Sequence, residues 1–245
     1  MNKVKLVTLK DVKFNKDLFV PMKTGTKVDE MFSSDGGLMP ATNTILTGDP
    51  GAGKTTVLLD ILGDLQAKGK KVLFVSAEMN QIDMHGYVKR FPKFGKIPTL
   101  FLGDYGEFPK QAVESVLNEG WDAVVMDSWA EISEQLKGAS SSYMSETKAD
   151  SIILSWLEEH NNGNNKAKKN TAFLVVQQIT KGGKFTGSNR LKHMTTAMGH
   201  IEFKNEIRSL HFSKNRRGGR MDKLNFHLAA SNKVGYTSFT SMNEE

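Results

Sequence analysis

Residues 48–56 decide the fold, and they read Gly48-Asp49-Pro50-Gly51-Ala52-Gly53-Lys54-Thr55-Thr56. This stretch is a complete G-x-x-x-x-G-K-T phosphate loop. The apolar run Thr44-Ile45-Leu46-Thr47 before it is typical of a strand, and residues 55–62 after it have helical character. Because the motif requires a strand before the loop and a helix after it, this context supports a true phosphate loop.

The loop predicts a nucleotide site. Its glycines allow backbone conformations that are closed to other residues, so consecutive N–H groups can turn inward and bind phosphate oxygens together with the helix N-terminus. We expect all nine residues to line the nucleotide, Lys54 to reach the β- and γ-phosphates, and the Thr55 hydroxyl to ligate magnesium. ATP and Mg²⁺ are therefore the expected cofactors.

The composition is that of a globular protein, with 38% hydrophobic and 24% charged residues in a chain of 245. This length fits one large α/β domain or two small ones. The chain has no cysteine, which excludes disulfides and cysteine-ligated zinc and suits a reducing cytosol. No apolar stretch approaches the ~20 residues that span a bilayer, and the N-terminus lacks the apolar region of a signal peptide. We expect a cytoplasmic protein that has no membrane partner.

The charge is unevenly distributed along the chain. Residues 161–223 carry fourteen Lys or Arg against three acidic residues, a net charge of +11, whereas the whole chain carries +6. The remainder is therefore at −5. A concentrated basic region is expected of a polyanion binder, although a solvated basic surface is the alternative.

Apolar patterning predicts alternating helices and strands. The strands predicted after the loop are at 72–76, 99–102, 121–128 and 171–176. The helix that follows the loop is predicted to end near residue 67, and three further helices are predicted at 81–92, 109–118 and 147–160. Antiparallel strands are predicted at 199–204, 207–214, 224–229 and 235–239. Residues 133–147 are polar and serine-rich, and we expect a mobile loop there. Residues 1–20 fit either an edge strand or an arm that reaches a neighbouring subunit.

Strands that alternate with helices predict an α/β fold with a mostly parallel central sheet covered on both faces. In such a sheet the ligand lies beyond the carboxyl ends of the strands. The phosphate loop, Glu78, Asp127 and Gln178 all fall at the ends of predicted strands. Asp127 ends an apolar run as a Walker B acid does, and we expect it to hold magnesium through water or the Thr55 hydroxyl.

These features resemble the RecA-type P-loop ATPase core, and within it most closely the RadA/Sms family of bacterial DNA-repair ATPases. The likeness covers residues 24 to about 240 and extends well beyond the loop. Its motifs are Thr24-Gly25 through Asp29, Gly36-Gly37-Leu38-Met39-Pro40, Gly48-Asp49-Pro50-Gly51, Val75-Ser76-Ala77-Glu78, Thr180-Lys181-Gly182-Gly183, Leu191-Lys192-His193-Met194 and Lys214-Asn215-Arg216-Arg217-Gly218.

The sequence departs from that family at several positions. Gly182 and Lys192 stand where the family has acids, and Arg217 stands where it has phenylalanine. We expect a reduced RadA-like core without the family's zinc module and protease-like domain. Residues 1–23 would form the arm or edge strand, and residues 24–245 would form the RecA-like ATPase domain.

The resemblance implies roles for further residues. Glu78 is similar to the RecA-type glutamate that polarises the attacking water. Gln178 is similar to the glutamine that senses the γ-phosphate and moves the following loop, with Gln177 as the alternative. Lys214 and Arg216 resemble the paired basic fingers that enter the next subunit's ATP site, and a plain DNA-facing cluster is the alternative.

The candidates for DNA binding are the loops 133–147 and 180–190. Lys181, Lys184 and Arg190 would supply positive charge, and Phe185 would stack on a base. Neither loop contains a base-reading motif, so little sequence preference is expected.

The leading hypothesis is a DNA-stimulated ATPase that acts on single-stranded DNA in recombination, repair or replication. It would assemble as a ring, with a hexamer expected, or as a filament, beside other replication or recombination proteins. A DnaB-type helicase and a RecA-type strand-exchange protein are alternatives of the same class. An ATP-gated scaffold or helicase loader, which would assemble in the manner of KaiC, is the alternative of a different class.

Overall fold

The computed structural model describes residues 6–178, 195–228 and 233–242, and these build one continuous sheet flanked by helices. The strands are β1 Asn43–Gly48, β2 Val72–Ser76, β3 Thr99–Phe101, β4 Ala123–Asp127, β5 Ala172–Val176, β6 Ala197–Lys204, β7 Ile207–Asn215, β8 Lys223–Leu228 and β9 Val234–Thr240. The α-helices are α1 Asp29–Phe32, α2 Lys54–Ala67, α3 Gln81–Arg90, α4 Pro109–Leu117, α5 Trp129–Gly138 and α6 Glu146–Asn161.

The strand order is β3-β2-β4-β5-β1-β6-β7-β8-β9. The strands from β3 to β6 pair in parallel, and β6 to β9 pair in antiparallel fashion. The expected α/β fold, mostly parallel with antiparallel strands toward the C-terminus, is therefore confirmed. The carboxyl ends of β2, β4, β5 and β1 lie side by side, which brings the predicted strand-end residues to one edge.

Two apolar cores sandwich the sheet. One contains α2 residues such as Val57, Leu58 and Ile61, together with inward side chains of β6 to β9. The other packs α4, α5 and α6 against the opposite side of β1 to β5. The four strands from β2 through β1 that carry the site are buried throughout, because helices cover both of their faces.

The prediction of a mobile loop at 133–147 is wrong for most of its length. Residues 129–138 form α5, and Glu146 already belongs to α6. The buried positions of α5 are Trp129, Ile132, Ser133 and Leu136, which is the i, i+3, i+4, i+7 spacing of an amphipathic helix. The many polar residues of α5 occupy its outer face, and they hid the helical spacing of its buried residues in the sequence. Residues 139–145 remain as the connection between the two helices.

Two other boundaries differ from expectation. The helix predicted at 81–92 ends at Arg90, because Phe91 precedes a proline and leaves the helical conformation, with φ −132° and ψ 80°. Between Leu6 and Val20 the structure describes the short 3-10 helices Leu9–Asp11 and Lys16–Phe19 and no strand. Within the described ranges, no helix is long and apolar enough to cross a membrane.

A buried ion pair ties α2 to its surroundings. Lys93 Nζ lies 2.5 Å from Asp60 Oδ1 and 2.8 Å from Asp64 Oδ1. Asp60 is 1% exposed and also accepts the N–H of Val234 at 3.1 Å, which connects α2 to β9. Burial raises the pKa of Asp60, and the hydrogen bond and charge of Lys93 oppose that rise.

Replacing Lys93 with methionine should lower the free energy of unfolding by roughly 2–4 kcal/mol at pH 7, because the buried Asp60 carboxylate loses its partner. Without Lys93 the folded-state pKa of Asp60 rises further above its unfolded value. The deficit should therefore shrink as the pH falls toward about 4, where the unfolded aspartate also takes up a proton. Urea unfolding between pH 4 and 8 measures both effects.

Lys166→Met is the matched control, since Lys166 pairs with Glu119 on the surface, with side chains 65% and 51% exposed. That change should cost no more than about 0.5 kcal/mol. Equal losses in the two variants would contradict a structural role for the buried pair.

Candidate functional site

The phosphate loop lies between the end of β1 and the start of α2. Gly48 has φ 149°, and a Cβ there would lie 2.1 Å from the carbonyl oxygen of Ile201 on β6, so a side chain cannot be accommodated. Gly53 is left-handed, with φ 106°, at the N-cap of α2. The two glycines thus let the chain turn from β1 into α2 beside β6, and the free N–H groups of the helix N-terminus follow directly on the loop.

Lys54 folds back onto the loop. Its Nζ donates to the carbonyl oxygens of Gly48 at 2.7 Å and Asp49 at 2.9 Å. Burial lowers the pKa of Lys54, and the negative charges of Asp127 and Glu78 oppose that shift. The cation therefore sits among the loop's carbonyls and within the field of both predicted acids.

Asp127 and Thr55 are joined across the site. The Thr55 hydroxyl donates to Asp127 Oδ2 at 2.5 Å, and Asp127 is 1% exposed. Burial raises the pKa of Asp127 to about 6, and the nearby Glu78 charge adds to the rise, while Thr55 and Lys54 oppose it. A buried carboxylate with little compensation is typical of functional sites.

The Asp127–Thr55 pair fits magnesium. Asp127 Oδ1 is buried, and no hydrogen-bond partner for it exists within the described ranges. Magnesium prefers oxygen ligands and is usually held by one or two protein groups, substrate phosphates and water. A carboxylate oxygen without a partner beside a threonine hydroxyl supplies that chemistry, and a cation would offset the cost of burying the charge.

Glu78 lies next to this pair. The N–H groups of Ala77 and Glu78 donate to the carbonyl oxygen of Asp127, at 2.8 and 3.3 Å, so the ends of β2 and β4 are hydrogen-bonded together. The Glu78 side chain is exposed. A capping box between Asn80 and Asp83 starts α3 two residues later and fixes the path of the chain. The structure thus brings together the loop, Asp127 and Glu78.

Gln177 and Gln178 follow β5 at the same edge. Gln177 is 1% exposed, and its N–H donates to the Leu46 carbonyl at 2.9 Å, so it is part of the packed sheet. Gln178 is half-buried. A side chain that senses the γ-phosphate must be accessible from the nucleotide site. Gln178 therefore remains the predicted sensor in preference to the buried Gln177.

Lys214 and Arg216 are not part of this cluster. Because β7 runs antiparallel to β6, Met198 pairs with Lys214 while Gly48 pairs with Ile201, so the end of β7 lies toward the opposite edge of the sheet. Arg216 is exposed, and Lys214 is half-buried. Burial and the neighbouring Arg216 charge lower the pKa of Lys214. The two cations are therefore close to each other and remote from their own chain's phosphate loop.

The predicted DNA-binding residues Lys181, Lys184, Phe185 and Arg190 lie outside the described residues. Many other cations of the basic segment are paired with acids. The described ion pairs there are Lys166–Glu119, Lys169–Asp122, Lys204–Glu202, Lys223–Glu202, Arg220–Glu30 and Arg220–Asp222. Glu119, Asp122 and Glu30 come from the acidic remainder of the chain, so folding neutralises part of the +11 charge.

The sequence analysis did not identify two residues that lie near the loop. Tyr87 on α3 lies beside the Thr56 side chain, and burial raises the pKa of its hydroxyl. Arg208 at the start of β7 reaches the loop, since its Cδ lies 3.8 Å from the position of a Cβ on Gly53. Neither residue stands in a motif, and only the long-range packing of α3 and β7 reveals them.

Comparisons with solved structures place the fold in a class. A KaiC-like protein from the archaeon Pyrococcus horikoshii superposes with a TM-score of 0.62 at 18% identity, over 89% of this chain and 99% of that one. The flagellar accessory protein FlaH from Methanocaldococcus jannaschii gives 0.59 at 12% identity, over 83% and 92%. With the phosphate loop and Asp127 at the strand ends, the chain has a RecA-like P-loop NTPase fold.

In sequence the chain is close to the bacterial DNA repair protein RadA. It is 29% identical to RadA of Campylobacter jejuni over 206 residues, 30% to that of Aquifex aeolicus over 180, and 31% to that of Streptococcus pyogenes over 189. These alignments cover 81%, 70% and 75% of this chain but 43%, 35% and 38% of the relatives. The chain thus spans about two fifths of the relatives it matches. No family model matches it.

Asp127→Asn should lower magnesium affinity or ATPase activity roughly 10- to 100-fold, because the cation loses a charged partner. The melting temperature at pH 8 should stay the same or rise, since a buried charge is removed while the amide oxygen still accepts from Thr55. Magnesium titration of the ATPase rate and thermal unfolding measure the two effects. A loss of activity accompanied by an equal loss of folded protein would contradict a role in binding the metal.

Proposed function

We propose that the chain is a magnesium-dependent ATPase that acts on single-stranded DNA in recombination, repair or replication and works as a ring or short filament. The observation that carries the proposal is the cluster of the phosphate loop, Thr55–Asp127 and Glu78 on a RecA-type sheet whose sequence is similar to RadA.

In the proposed hydrolysis, each residue of the cluster has a separate role. The N–H groups of the loop and Lys54 hold the β- and γ-phosphates. Glu78 accepts a proton from the attacking water, and its exposed position beside Asp127 supports that role. Magnesium supplies charge neutralisation on the phosphate oxygens, with Thr55 and Asp127 as the residues that would hold it.

The position of Lys214 and Arg216 supports their action on a neighbouring copy. From Gly48, the Lys214 level lies about 10 Å back along the strands and about 10 Å across two strand spacings. A finger at this end cannot reach the phosphates of its own chain. Head-to-tail contacts between copies bring one chain's fingers to the next chain's loop, as heterologous interfaces in rings and filaments do.

The DNA-binding part of the proposal rests on the order of residues along the chain. Gln178 stands two residues before the start of the glycine-rich, basic stretch 180–190. A γ-phosphate held by Gln178 would fix the start of that stretch, and its release would free it. Lys181, Lys184 and Arg190 would then bind the strand's phosphates, with Phe185 stacked on a base.

Mixing two inactive variants tests the action in trans. Lys54→Ala lacks a working loop, and Lys214→Ala/Arg216→Ala lacks fingers, so each should be nearly inactive alone. An equal mixture should regain activity, because about one interface in four combines an intact loop with intact fingers. Steady-state ATPase rates measure this, with Lys110→Ala as a control that mixes without effect. A mixture as inactive as its components would argue against the shared site.

Single-stranded DNA should raise the wild-type ATPase rate, and Lys181→Ala/Lys184→Ala should lose that stimulation but keep the basal rate. The salt dependence of DNA binding should also flatten, by about 0.7 in log–log slope for each lost phosphate contact. Lys110→Ala/Lys148→Ala removes the same charge from α4 and α6 and should behave as the wild type. Nucleotide-dependent assembly without any response to DNA would favour an ATP-gated scaffold instead.

A further inference from the structure

The two sides of the phosphate loop are built differently. On the side of β5 and β4 lie Thr55, Asp127 and Glu78, which accounts for the γ-phosphate end of a nucleotide. On the other side lie β6, β7 and the end of β8. A nucleotide whose phosphates occupied the loop, with the γ-phosphate beside Asp127 and Glu78, would extend its base toward the turn of the β6–β7 hairpin. The turn end of this hairpin has no role in the proposed hydrolysis.

A tight turn shapes that hairpin. Asn205 and Glu206 have positive φ angles of 49° and 65°, as in the two-residue turns that match the twist of antiparallel strands. The turn pairs Phe203 directly with Arg208. The Arg208 guanidinium lies 4.0 Å from the centroid of the Phe203 ring, so it rests on the aromatic face.

This stacked pair stands beside the loop. A Cβ on Gly53 would lie 3.1 Å from Leu228 Cδ1 and 3.8 Å from Arg208 Cδ. Phe203 is 47% exposed. Within the described ranges Arg208 forms no ion pair, and its Nε has no hydrogen-bond partner. The guanidinium is thus oriented by Phe203 and is not committed to an acid.

We propose that Arg208, seated on Phe203 and flanked by Leu228, is the stacking platform for the base of the bound nucleotide. The inference rests on the proposed ATP site and adds the residue that recognises the nucleoside. A planar guanidinium stacks on a planar base, whereas a lysine ammonium does not. Stacking is tolerant of base identity and grows with ring area, so ATP and GTP should both bind more tightly than CTP and UTP.

The test compares ATP with inorganic tripolyphosphate, which offers the phosphates without a base. Arg208→Ala should weaken magnesium-ATP binding roughly 10-fold or more while leaving tripolyphosphate binding unchanged. Arg208→Lys should not restore ATP binding, because it returns the charge without the plane. In steady-state kinetics KM should rise, and kcat should change little. Calorimetric titration of both ligands, with thermal unfolding of each variant, supplies the measurements.

Lys204→Ala is the matched control, since it removes an exposed cation from the same hairpin and should bind ATP as the wild type does. Equal weakening of ATP and tripolyphosphate by Arg208→Ala, or rescue by Arg208→Lys, would show a phosphate contact and overturn the platform. Unchanged ATP binding in Arg208→Ala would overturn it as well. Wild-type protein that binds neither ligand would overturn the proposed ATPase itself, and the platform with it.

Discussion

The hydrogen bond between Thr55 and Asp127 joins the first turn of α2 to the end of β4 in a place that water hardly reaches. A carboxylate buried with one short hydrogen bond costs free energy, and its pKa of about 6 reflects that cost. The parallel strand order β2-β4-β5-β1 brings the loop and both acids to one edge, and the packed sheet holds the buried carboxylate there despite this unfavourable free energy. Every role assigned to the site depends on this arrangement.

The antiparallel strand β7 runs from the edge of the sheet that carries the phosphate loop toward the opposite edge. Arg208 at its start lies beside Gly53, and Lys214 near its end lies at the level of Ile45, toward the opposite edge. In the proposed assembly, β7 therefore runs from the nucleotide of its own chain to that of the neighbouring copy. Along this path β6 pairs with β7 over almost its whole length, whereas β8 pairs only with residues 208–210.

Local patterns predicted most of the fold. The strand at 72–76 and the end of α2 at Ala67 were exact, because buried parallel strands are continuous apolar runs and turn residues bound both elements. The sequence analysis placed the loop, Glu78 and Asp127 at strand ends, and the structure brings them to one edge of the sheet. The helix α5 was missed, since its polar outer face outweighed its buried stripe. Arg208 and Tyr87 were not predicted, because their positions near the loop depend on contacts between segments far apart in sequence, and no local pattern encodes such contacts.

The same long-range contacts change the meaning of the basic segment. The +11 charge is a sum along the sequence, but Lys166 and Lys169 pair with acids that precede β4, and Arg220 pairs with Glu30 in α1. Such pairs draw positive charge away from any polyanion. Arg216 and Arg217 are exposed, and the described residues offer them no ion pair. A strand of DNA or a neighbour's phosphates would therefore meet cations at particular points of the surface rather than a uniformly basic face.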